Sequence, residues 1–264
     1  TSATNAYNTA VGAFAGGAVT TGTNNTLIGG LAGDAITTGS NNTALGQHAA
    51  GKTTTASDNT AVGRTALYDN TTGSSNVGVG KEALYFNTTA SYNTAVGYQS
   101  LYSNTTGANN VSIGGLSLDA NTTGDQNVAV GTSALGALTA GDKNVAIGNS
   151  ALGQFNVTDG SETFNTAVGY AAGGAVTTGI KNTLIGGRAG DALTDADFNV
   201  AIGESALSAD TLGSRSVAIG TAALADQNFT TATDSYNTAV GAFAGTAVTT
   251  GIQNTIIGGL AGDA

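Results

Sequence analysis

Asn8-Thr9-Ala10-Val11-Gly12 decides the fold, because the chain keeps returning to it. The pattern is Asn, Thr or Val, a small residue, then Val, Ile or Leu before Gly. Its closing glycines are Gly12, Gly29, Gly46, Gly63, Gly80, Gly97, Gly114, Gly131, Gly148, Gly169, Gly186, Gly203, Gly220, Gly241 and Gly258. Twelve of the fourteen intervals are 17 residues; Gly148 to Gly169 and Gly220 to Gly241 are 21. A fixed short period marks a solenoid, in which each turn packs only on its neighbours. The expected fold is an all-β parallel β-solenoid, a β-roll of about fifteen 17-residue turns. Residues 1–264 form one repeat array, with longer turns at 149–168 and 221–240 that should bulge from a corner as loops.

Composition agrees with uninterrupted ladders. There are 41 Gly and no Pro, so every backbone N–H is free to donate. Charged residues are only 9% of the chain, leaving Asn, Thr, Ser and Gly to wet the surface. The net charge is −10, with seven scattered basic residues, which argues against a nucleic-acid partner. Zero cysteine excludes disulfides and thiolate metal sites. No apolar run approaches the roughly eighteen residues of a membrane span, so this segment is expected to insert in no membrane. The chain starts and stops inside a repeat, and it reads as an uncapped piece of a longer array.

Each turn can be read in columns counted from its glycine. The residue before the glycine is Val, Ile or Leu in all fifteen turns, and two residues earlier stands Thr or Val. These share a parity and are mostly β-branched, so they are expected in the core, with the small residue between them pointing the other way. Asn and Gly should form the corner, as at Asn8 and Gly12, Asn93 and Gly97, Asn144 and Gly148, and Asn199 and Gly203. Beyond the glycine, Ala or Ser and then Leu or Gly suggest a second, shorter wall; Thr-Thr-Gly marks the far corner. Leu27, Leu184 and Ile256 replace the small residue only where that wall has lost its Leu, as at Gly16, Gly173 and Gly245. Close packing would produce this compensation if the two columns touch.

Few residues invite chemistry. The sole histidine, His48, has no cysteine or second histidine to complete a metal site or a nucleophilic dyad. The Gly-Gly-Leu-Ala-Gly-Asp-Ala stretches (29–35, 258–264) have the wrong spacing for calcium-binding β-roll nonapeptides, and the glycines make no phosphate loop. No cofactor or metal is expected. Asn-x-Thr sequons stand at Asn70, Asn87, Asn104, Asn121, Asn156 and Asn228. Stacked threonines raise ice binding as an alternative. Tyr68, Tyr85 and Tyr102 fall in one file on consecutive turns, which reads either as wall-protecting stacking or as a sugar-binding strip.

The copies Asn-Val-Ala-Ile-Gly (144–148 and 199–203), Ser-Val-Ala-Ile-Gly (216–220) and Asn-Thr-Ala-Val-Gly resemble the head repeats of trimeric autotransporter adhesins. Tyr98 to Gly107 also resembles arrays in bacterial surface-fibre and phage tail-fibre proteins. The adhesin family's repeat is shorter, so the extra residues here fall in the Thr-Thr-Gly corner. The resemblance implies a left-handed parallel β-roll, three chains side by side, and display on a cell or virion surface. The expected function is a non-enzymatic extracellular structural or adhesive fibre segment. The alternatives are a carbohydrate- or ice-binding module, a tail-fibre shaft, and last a solenoid polysaccharide-degrading enzyme. The expected partners are further copies, in a parallel homotrimer with the Leu/Gly column facing the axis, and a surface glycan or host matrix.

Overall fold

The computed structural model describes residues 6–263. The chain is a parallel β-solenoid, and no helix occurs among the described residues. It divides into two compact units, residues 1–127 and 128–264. In the first, the strands Thr9–Val11, Thr26–Ile28, Thr43–Leu45, Thr60–Val62, Val77–Val79, Thr94–Val96 and Val111–Ile113 pair in chain order, each residue beside its counterpart 17 positions on. The second runs in the same way from Val128–Val130 to Thr255–Ile257. There the pairings of Val145 with Thr166 and Val217 with Thr238 span the two long turns. The inserted residues leave the coil as loops, tied back by Gly213–Ser214 beside Thr233–Asp234 and by a bridge from Asp142 to Glu162.

The expected core is inverted. From Thr26–Ile28 to Thr238–Val240 the middle residue of each three-residue strand is buried, and Ala44, Ala61, Ala95, Ala146 and Ala201 expose no surface. The residues on either side, mostly β-branched, face outward, with Leu45 46% and Ile113 40% exposed. Parity correctly groups the two outer positions, but it does not say which face is inside. The coil is too narrow for two β-branched walls. It admits a methyl from the strand and takes its bulk from the second wall, where Ala66, Leu67, Ala83, Leu84 and Leu101 are wholly buried.

That second wall demands an unusual backbone. The eight leucines at this position, Leu67 to Leu224, all have φ between 48° and 54°, in the left-handed region. Such a conformation costs a non-glycine residue about 1–2 kcal/mol, which burying a leucine, at about 1.5–3 kcal/mol, can offset. Where the wall has Gly instead, the strand supplies the bulk. A Cβ on Gly16 or Gly33 would lie 2.8 Å from a Leu27 methyl, and one on Gly173 or Gly190 within 2.8 Å of Leu184. The two columns touch, and the compensation seen in the sequence is close packing. The closing glycines are forced too. Gly97 has φ 139°, and a Cβ there would sit 2.5 Å from the carbonyl oxygen of Gly114.

Asparagine holds the corner in two directions. The Asn93 amide donates to the Gly107 carbonyl at 2.8 Å, fourteen residues on in its own turn. Its oxygen accepts the Asn110 N–H at 2.9 Å in the next turn. The same pair of bonds recurs at Asn25, Asn42, Asn59, Asn165, Asn182 and Asn199. Asn8 makes it as well, while Asn144 accepts from Asn165. A second buried file, Asn70, Asn87, Asn104 and Asn121, passes amide-to-oxygen bonds of 2.8–3.0 Å along the first unit. At the far corner each Thr hydroxyl donates to the backbone of the next Thr, from Thr20 to Thr122. In the second unit the buried Asp210 accepts from Gly213, Phe229 and Gln227 where a long turn departs.

Candidate functional site

Three places on the surface break the repeat. The first is an aromatic cluster in the first unit, at the fifth and sixth residues past the closing glycine. Most turns carry small or polar residues there, while Tyr68, Tyr85, Phe86 and Tyr102 fill the columns over three turns. The tyrosines stack along the coil, Tyr68 on Tyr85 at 5.3 Å and Tyr85 on Tyr102 at 5.4 Å between centroids, with planes inclined by 24° and 29°. Both faces of Tyr85 are therefore closed by neighbouring rings. As a sugar platform, the three-tyrosine file is closed off at its centre. His48 meets Tyr68 edge-on at 5.8 Å, which gives the lone histidine a packing role.

Polar groups border the rings. Lys52 Nζ lies 5.0 Å over the Tyr68 ring and 2.6 Å from the Asp69 carboxylate. That carboxylate's hydrogen bond and charge raise the lysine pKa. Burial, helped by Asp69, pushes the Tyr85 phenol above its ordinary value. Phe86, which sequence reasoning passed over, packs perpendicular to Tyr85 (4.7 Å, 77°) and Tyr102 (5.1 Å, 75°) and is 39% exposed.

The second place is the loop of the first long turn. Asn156, Thr158, Asp159 and Thr178 help line an open concavity of about 360 Å³. Asp159 is the one ionisable group in its lining, and hydrogen bonding from Ser161 lowers its pKa, so it is a poor proton donor. A hydrolytic site needs a second group to share acid and base roles. Among the described residues no group of three or more His, Cys, Asp or Glu is placed to hold a metal ion.

The third is a ridge in the second unit. Lys143 lies over the Phe164 ring (5.4 Å); Lys181 and Arg215 sandwich Phe198 (5.0 and 4.6 Å), and Arg215 reaches Tyr236 (5.9 Å). Cation and aromatic alternate turn by turn in one column, which column-wise reading could have found. Glu162 pairs with Lys143 and Asp234 with Arg215 at 3.1 Å, so carboxylates match two of the three cations on the ridge.

Of the sequons, Asn70, Asn87, Asn104 and Asn121 are buried in their ladder, while Asn228 is exposed and Asn156 half-buried, both on the long turns. No helix among the described residues is long and apolar enough to cross a membrane. No protein-family model, curated protein or solved structure matches the chain.

Proposed function

We propose that the chain is a non-enzymatic structural and adhesive fibre segment, displayed outside a cell or virion, whose copies associate side by side in a parallel homotrimer. The observation that carries it is the outward face of the strands. Every turn contributes only Thr or Val and Val, Ile or Leu there, without one charged residue. Leu45, Ile113, Ile147 and Ile185 are 37–46% exposed on it. In each unit the Val, Ile and Leu column makes an apolar stripe, which is uncommon on a monomer and marks an association surface. A second copy has the same pitch, so it meets the stripe in register at every turn. The axis runs along the strand face, since the Leu column is sealed inside its own coil. The dispersed acids and the single-carboxylate concavity favour a structural role over a depolymerase.

Light scattering or native mass spectrometry tests this reading. The expected mass is three times the 25.5 kDa of one chain. Leu45→Asp, on the outward face, is expected to lower it to one chain while leaving the circular dichroism unchanged. A parent chain that stays monomeric at high concentration overturns the proposal.

A further inference from the structure

We infer that Phe86 presents a stacking face for a neutral pyranose of a glycan chain, carried by the tyrosine stack behind it. The inference deepens the adhesive half of the function proposed above and rests on it. Tyr68 and Tyr102 close both faces of Tyr85, so Phe86, perpendicular to Tyr85 at 4.7 Å, can only lie against its edge. It stands perpendicular to Tyr102 as well, at 5.1 Å. A ring that meets the edges of two stacked rings does so with one face. Its other face is turned away from them, and the residue is 39% exposed. The tyrosines fix its orientation, so little freedom is lost when a ligand lands on it.

The surroundings select the ligand class. In the same column, one turn before and one turn after Phe86, stand Asp69 and Ser103, which bring an acceptor and a hydroxyl to this part of the surface. Lys52 and Asp69 neutralise each other at 2.6 Å, leaving no free cation in the cluster to hold a carboxylate or sulfate. An aromatic face bordered by hydroxyl and amphoteric groups, with no charge surplus, fits the apolar C–H face and equatorial hydroxyls of an uncharged sugar. The tyrosine file, the feature most visible in the sequence, is the support, and Phe86 makes the contact.

Affinity electrophoresis of the intact chain through gels containing soluble β-glucan, mannan or galactan tests the inference. At least one polysaccharide is expected to retard the chain. Phe86→Ala and Phe86→Leu are both expected to weaken that binding about tenfold, the scale of one aromatic contact. Leucine keeps an apolar side chain but removes the ring face. Phe243→Ala, at an exposed aromatic of the second unit, is expected to change nothing. No retardation by any of the three, or undiminished retardation of Phe86→Leu, overturns the inference. Solution mass measured on the same samples keeps the two readings apart, because a trimer that binds no glycan sinks only the Phe86 site.

Discussion

Asn93 shows how one residue type can hold a coil shut and fasten it to the next. Its side chain closes its own turn through Gly107 and satisfies the buried N–H of Asn110. Asn93→Ala orphans both groups, and each unsatisfied buried group costs about 1–3 kcal/mol. A clear drop in the urea midpoint is expected, and an unchanged midpoint would show that water replaces the amide. Asp119 works in the opposite sense. Burial raises its pKa above the ordinary 3.8, so the folded chain holds this proton more tightly than the unfolded chain does. Its charged form therefore costs stability at neutral pH, and the cost fades as pH falls through the folded pKa. Asp119→Asn is expected to be more stable than the parent near pH 7, with the gap closing toward about pH 4. A gap of equal size at both ends would refute it.

Most of the three-residue strands have two outward side chains and one small inward residue, opposed by a leucine from a left-handed turn, while Leu27, Leu184 and Ile256 meet glycines instead. Substitutions on the two sides should therefore fail differently. Leu101→Asp places a charge in a position with no exposed surface and is expected to unfold the first unit, seen as lost β-sheet signal in circular dichroism. Leu45→Asp is expected to keep that signal and change only the association state. If Leu101→Asp folds and merely dissociates, the leucine wall is an interface after all. The Thr and Asn ladders add a further rule at this scale. A side chain that repeats every turn can bond to its own image, so runs of identical polar residues inside the coil leave few groups unpaired.

At the scale of the whole molecule, a 17-residue period with β-branched residues beside a glycine points to a parallel β-solenoid, in which each turn stacks on its neighbours. The corner glycines, the far Thr corner, the two looped-out turns and the exchange between Leu27 and the missing wall leucine were all legible in the columns. They are local or nearest-neighbour facts, and a period carries those directly. The inside of the coil was not legible, because alternation sorts residues into two faces and leaves open which face the chain curls around. Only the tertiary structure decided that Ala44 and Leu67 fill the interior while Leu45 faces out, and the deciding quantity was the width of one turn. The ring geometry was likewise out of reach, since a column of tyrosines at a fixed spacing does not say which faces are spent on each other. Sequence thus determined the repeat and its pitch; the curl of the coil determined which surfaces are left for partners.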